Sequence, residues 1–427
     1  MSDNVEYISQ DFDFLGSLSR NLRDLQGYDT LAYELIQNAD DVKDDNGNPA
    51  ASKIIFDICD DALIVENDGT FREVDFERMK LLASEGKRDE PDTTGAFGIG
   101  FTVVYQITDT PELFSGGYHW RFVPVNYPKN IEVRKTQTTG TVFRLPYAVD
   151  SHSLTRQRLK QQAFDLSKIN DLQRILSEAI FFAALFLKQL QVLEVRRSGE
   201  LVRQVKREID GNRVLITDNE VQSVWYLLDG DFEEELSSLR SRSPIEAKRH
   251  GRVSVAIPHK HLEPGRLFAV LPTNTITGLP FHINADFYPK SDRKQIIFEN
   301  DYQSEWNRSL VRVVGRIILA NFDGVKHLFG YQGIWQFLQH IRDCGAKAER
   351  GELDSVFLDL WHEVKEVVSD IEVVLDTTNK WLKPRDTRLV HHEDERRAIF
   401  IFEELGISIT HTDLYSYRDL LQEFGVR

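Results

Sequence analysis

Apolar residues recur at helical spacing in two short stretches near the start of the chain. Leu15, Leu18, Leu22 and Leu25 fall three or four apart and predict a helix over 12–27. Leu31, Leu35, Ala39 and Val42 do the same over 30–42, with Asp29 or Thr30 as a candidate N-cap. The period then changes. An apolar, strand-like run covers Ile54 to Val65 and ends in the turn chemistry of Asn67-Asp68-Gly69. The run Phe101 to Ile107 predicts a helix start, and alternation with turns over 116–147 predicts strands closing a first domain. A long helical pattern covers 156–194, followed by strand-like runs at 192–206, 213–217 and 221–229. Residues 230–250 read as charged loop, 252–257 and 266–272 as strands, and 301–368 as helices. The tail is mixed, with a strand at 371–375 and helices at 394–405 and 413–424.

Polar residues on this scaffold carry the candidate chemistry. Glu34, Asn38 and Asp41 stand at i, i+4 and i+7 and share a helix face. Mg²⁺ prefers hard oxygen ligands and keeps waters and phosphate oxygens around it, so a neutral Asn38 oxygen suits it. Glu34, one turn earlier, can orient or deprotonate a water for attack on phosphorus. An ordinary amphipathic helix has the same spacing, so the face alone decides nothing. About sixty residues on, Gly95, Gly98 and Gly100 form a Gly-x-x-Gly-x-Gly loop. Glycine lets a backbone approach phosphate closely, and a following helix would point its N-terminus at the anion. The loop is neither a Walker A nor a Rossmann fingerprint, since no Lys-Ser/Thr follows and no strand immediately precedes it.

Composition narrows the reading. The chain has 427 residues and a net charge of −16, which suits two or three domains and opposes broad, nonspecific DNA binding. Only Cys59 and Cys344 occur, so a reducing, cytoplasmic setting fits and no disulfide framework is implied. The opening Met1-Ser2-Asp3-Asn4 has no signal-like region, and the longest apolar stretch, Ala179 to Leu187, is too short to span a membrane. His259-x-His261 lacks a third ligand at a persuasive spacing. The basic clusters Arg196 to Arg207 and Arg240 to Arg252 lack the interleaved aromatics of a stacking platform. His392-Glu393-Asp394-Glu395-Arg396 reads as a solvated helix start rather than a phosphoacceptor.

The segments "LIQNADD", Glu66 to Phe71 and "GAFGIGFTVVYQITD", in this order, resemble the GHKL ATPase superfamily of gyrase B, the ninety-kilodalton heat-shock chaperones, histidine kinases and MutL. With "GLPFHINADFYPKSDRKQI" they are most similar to its sacsin-like branch. The resemblance implies an α+β fold: a Bergerat-type ATP-binding α/β sandwich over 1–150, a transducer-like α/β middle domain over 151–300, and a helical or mixed region over 301–427. The chain stops soon after the helix expected over 413–424, which suggests the start of a longer protein. The resemblance implies ATP and Mg²⁺ as cofactors, Asn38 as the metal ligand and Glu34 as the hydrolytic base. Nucleotide contacts would come from Asn38, Asp41, Asn67, Asp68, Gly69, Lys87, Gly95, Phe97, Gly98, Ile99, Gly100 and Phe101. Residues 84–94 would form a lid. Either Asn67 or Asp68 would read adenine, and the family's second glycine is missing there, its place taken by Phe71. A cation of the second domain would reach the γ-phosphate, with Lys290, Arg293 and Lys294 as candidates. Arg293 is favoured for its bidentate grip.

The function so implied is a slow ATPase acting as a conformational switch on a protein client or partner subunit, with an ATP-dependent homodimer as one form. The helix over 12–27 would then either cover the ATP domain or contribute to dimer contacts. The rival readings are a GHKL ATPase working with nucleic acid in a genome-maintenance or defence assembly, and a nonhydrolytic nucleotide sensor.

Overall fold

Ile54, Phe56 and Ile58 are wholly buried while Lys53, Ile55 and Asp57 between them are not, the period-two burial of a half-covered sheet. The computed structural model describes residues 13–80, 100–247, 249–260, 264–390 and 399–427. These form a mixed α/β protein whose sheets are mostly antiparallel. The chain divides into two compact units, 1–207 with 217–221, and 208–216 with 222–427.

In the first unit, helices α1 (Phe14–Asp24) and α2 (Tyr28–Asp40) precede strands β1 (Lys53–Ile58) and β2 (Ala62–Asn67) and helix α3 (Glu73–Lys80). Strands β3 (Glu112–Ser115), β4 (Tyr118–Phe122), β5 (Ile131–Lys135) and β6 (Thr141–Pro146) follow. Then come α4 (Leu154–Leu159), α5 (Ile169–Ala183), β7 (Val192–Arg197) and β8 (Glu200–Asp210). The strand order is β8-β7-β1-β2-β6-β3-β4-β5, antiparallel except for the parallel β1–β7 pair. Helix α5 packs on β7 and β1, and α2 packs on α5. The leucine stripes of both N-terminal helices are buried as their period predicts.

Local chemistry explains where the sequence pattern and the structure part. The run Ile54 to Val65 is a hairpin rather than one strand, because Cys59 N–H bonds Ala62 O (2.9 Å) and turns the chain at two exposed aspartates. The run 192–206 is likewise split by a Ser198-Gly199 turn with both residues at positive φ, the backbone that suits a two-residue hairpin. The helical pattern over 156–194 breaks after α4, where Lys160 takes a left-handed conformation, and restarts where the Asp165 carboxylate caps Ser167 N–H. Helix α2 has no side-chain cap of its own from Asp29 or Thr30, and starts at Gly27. Instead the Gln106 side chain accepts from Gly27 N–H (2.8 Å) and donates to Leu25 O (2.9 Å). Residues Gly100–Gln106 form a tight 3₁₀ segment rather than an α-helix start.

The second unit pairs β10 (Val221–Asp231), β11 (Arg252–Pro258), β14 (His282–Ala285), β12 (Arg266–Ala269) and β13 (Leu271–Ile276) in that order. The short strand β9 (Arg213–Asp218) contributes residues to both units. The charged stretch after β10 contains helix α6 (Glu233–Arg242) rather than loop alone. Its glutamates at the start and arginines at the end complement the helix dipole, and Leu236 and Leu239 anchor it. Helices α7 (Tyr302–Ala320), α8 (Phe322–Glu349) and α9 (Val356–Val368) pack together around fully buried Trp306 and Trp335. Gly330 interrupts α8 with a positive φ. Among the described residues no helix is long and apolar enough to cross a membrane.

Candidate functional site

Helix α2 turns an unusual share of polar side chains inward. Glu34, Asn38 and Asp40 are 4%, 5% and 3% exposed. The helix tolerates this because neighbouring positions Leu31, Leu35, Ile36 and Ala39 bury its apolar face.

The glycine loop's last residue meets this helix. A Cβ placed on Gly100 would stand 1.9 Å from Glu34 Oε2, so only a bare Cα lets the 3₁₀ segment lie against the carboxylate. One turn along, the buried Asn38 Nδ2 has no hydrogen-bond partner among the described residues. A buried amide left so costs about 1–3 kcal/mol, which a ligand would recover. Turning the amide over would present Oδ1 instead, the oxygen a cation needs.

The two aspartates that follow are occupied by the protein. Asp40 accepts from the backbone N–H groups of Lys188 (2.8 Å), Gln189 (2.9 Å) and Leu190 (3.0 Å). Gln189 returns the contact, its Nε2 donating to the carbonyls of Ala39, Asp40 and Val42 that end α2. Asp41 forms an ion pair with Lys188 Nζ at 2.8 Å.

At the end of β2, Asn67 Oδ1 accepts from Gly69 N–H (3.1 Å). Asp68 accepts from Ser52 N–H (2.8 Å), Lys53 N–H (3.0 Å) and the Ser52 hydroxyl. Burial works to raise its pKa, but the Ser52 hydroxyl and the two N–H groups outweigh it and hold the carboxyl below its ordinary value. Gly69 passes close to the end of α2, since a Cβ there would lie 2.7 Å from Val42 Cγ1. Its carbonyl accepts from Thr141 Oγ1 (2.8 Å), which also meets Ser115 Oγ at 2.8 Å. Ser115 in turn accepts from Phe71 N–H. These two buried hydroxyls fix the 69–71 backbone. The sequence reading missed them because serine and threonine in strands carry no local signal of a tertiary bond.

Phe101 is a core residue, buried against Phe122 and Phe143 at centroid distances of 6.0 and 5.3 Å. Lys87, Gly95, Phe97, Gly98 and Ile99 lie outside the described residues, as do His261 and residues 391–398. In the second unit, Arg293 adopts a left-handed φ of 57°, and Lys294 N–H bonds Asp292 Oδ1 (2.9 Å). Buried Asn307 ties the base of their loop, donating to the carbonyls of Tyr288 and Ile297 and accepting from Tyr288 N–H.

Asn38 can supply an amide oxygen that suits Mg²⁺ when phosphates and water complete its shell, with the Glu34 carboxylate one turn away. Among the described residues no cluster of three or more His, Cys, Asp or Glu side chains could hold a metal by itself.

The chain is 26% identical to sacsin from Homo sapiens over 65% of its own length and 8% of that protein's. It is 25% identical to Protein NO VEIN from Arabidopsis thaliana, again over 65% of this chain and 10% of the relative. The chain thus spans a tenth or less of the curated relatives it matches. A solved N-terminal domain of a DNA repair protein aligns over 71% of this chain and 99% of its own, at 12% identity and a TM-score of 0.39. Residues 14–127, which include α2, Gly69 and Gly100, match the family model described as the sacsin domain, so that segment is similar to that family.

Proposed function

We propose that the first unit binds Mg²⁺-ATP in a Bergerat-type site and hydrolyses it slowly, and that the chain acts in the cytoplasm as a conformational switch on a protein client or partner subunit. The observation that carries this reading is the approach of Gly100 to the Glu34 carboxylate, with an unpartnered buried amide one turn away. The bare Cα lets the start of the segment that follows the glycine loop lie directly against the carboxylate, which brings the two motifs together, and the buried amide is open to an oxygen or cation. In this reading Glu34 orients the water and Asn38 holds the metal. Asn67 or Asp68 reads the base beside Gly69. Lys87 of the lid and the glycine loop cover the phosphates, and Arg293 or Lys294 answers charge on the γ-phosphate. ATP then favours one arrangement of the chain by its differential affinity, which is what a switch requires.

The test is Mg²⁺-dependent ATP hydrolysis by the wild type beside Glu34→Ala, with and without DNA. Turnover that falls at least about 100-fold in the variant, with ATP binding retained and DNA without effect, is the expected result. Normal turnover by Glu34→Ala removes it from the base role. Stimulation by DNA, steep in salt, moves the client to nucleic acid. Binding without turnover in the wild type makes the unit a sensor.

A further inference from the structure

The 3₁₀ segment Gly100–Gln106 touches Glu34 at its first residue, and at its other end, beside the Gln106 side chain that meets Gly27 and Leu25, the carbonyls converge on one guanidinium. Arg156, on α4, is 1% exposed. Its Nη2 donates to the carbonyls of Tyr105 and Thr108, and its Nη1 to those of Gln106 (3.2 Å) and Gln162 (3.4 Å). Its Nε donates to Asp109 Oδ1. A guanidinium has five N–H donors, and here five oxygens receive them. The other carboxylate oxygen of Asp109 accepts from the Ser153 hydroxyl, which also caps Arg156 N–H at the start of α4.

The last carbonyls of a short helical segment have no partners within it. Three of the five oxygens on Arg156 are such carbonyls at or just past the end of the segment. At about 2 Å of rise per residue, the segment from Gly100 to Gln106 is a rod about 12 Å long. The segment is buried from Gly100 to Tyr105, so a shift at its far end is carried through a packed rod to Gly100. The geometry points to Arg156 as a positioning residue for the nucleotide site: it helps fix the rod's far end and so sets how closely Gly100 stands to Glu34. This rests on the ATP reading above. The step it affects is water attack, which needs closer alignment than binding does. Lysine cannot take its place, since an ammonium has three donors and no planar fork.

The experiment pairs amide hydrogen exchange on the nucleotide-free protein with Mg²⁺-ATP kinetics, for the wild type, Arg156→Lys and Ser153→Ala. In Arg156→Lys, exchange quickens over 100–108 and stays at the wild-type rate in β1. Its kcat falls about tenfold or more while KM moves less than about twofold. Ser153→Ala keeps the guanidinium and removes one hydroxyl from Asp109 and from the start of α4, so it shows the same pattern more weakly and serves if the lysine variant does not fold. Unchanged exchange over 100–108 overturns the inference, as does faster exchange there with kcat intact. Equal loosening of β1, with kcat and thermal stability falling together, also overturns it, because that marks a general structural role. A wild type that does not bind Mg²⁺-ATP removes the ATP reading instead, and the exchange result then decides by itself whether Arg156 holds the segment.

Discussion

Asn38 and Asp40 stand two residues apart on one helix, and both are almost fully buried. Asp40 has three backbone N–H partners, whereas Asn38 Nδ2 has none among the described residues. Burial therefore does not separate a structural polar residue from a functional one. Saturation does: where the protein supplies every partner the group holds the fold together, and where it leaves a buried group open the fold is holding a place for something else.

The largest effect that could break this contrast is on stability. Asp40→Leu leaves three N–H groups without an acceptor and is expected to lose about 3–5 kcal/mol in denaturant unfolding. A melt like the wild type's would show that Asp40 is no anchor. Next is Gly100→Ala, whose methyl must push the Glu34 carboxylate aside. Turnover should drop about tenfold or more, and any loss of stability should shrink in a Glu34→Ala background, where the obstacle is gone. A penalty that persists in the double variant would place the clash elsewhere. Asn38→Leu sharpens the comparison directly. Removing an unpartnered amide should leave unfolding stability within about 1 kcal/mol of the wild type, or raise it, while Mg²⁺-dependent ATP affinity falls. A collapse in stability would make Asn38 a structural residue like its neighbour.

The smallest effect is a pH dependence at Asp68. Its folded pKa lies below its unfolded value, so the stabilisation is present above the unfolded pKa, near 3.8, and is lost as pH falls through the lower folded pKa. Asp68→Asn should then differ from the wild type at neutral pH and converge with it in acid. A gap that stays constant to low pH would assign the effect to shape rather than charge. The side chain is exposed, so the difference should be a fraction of a kcal/mol.

The helices over 14–24 and 28–40 were legible because burial imposes its own period on the chain, and Leu18, Leu22, Leu31 and Leu35 carry it. The cap of α2 was not, because Gln106 lies 79 residues from Gly27 and nothing local announces it. The hairpin at 59–61 was hidden by apolar residues on both sides of two aspartates. Helix α6 was hidden by having only Leu236 and Leu239 to bury. At the site, the motif pair placed Glu34 and Gly100 in one reading, but no pattern showed that Asp40 is saturated and Asn38 is not. That difference is made by residues 188–190, far along the chain. Arg156 escaped notice for the same reason, since an arginine in a polar helix start looks like any solvated charge.

The reach of Asp40 has a consequence for synthesis on the ribosome. Its partners are 148 to 150 residues downstream, so the polar end of α2 cannot be locked when the helix emerges. The locked state must wait until residues 188–190 have cleared the exit tunnel. A fragment ending near 127, where the sacsin-domain match ends, or near 150, would expose the carboxylate and the carbonyls of Ala39, Asp40 and Val42 to water. The shortest piece in which this helix is complete therefore runs past Leu190.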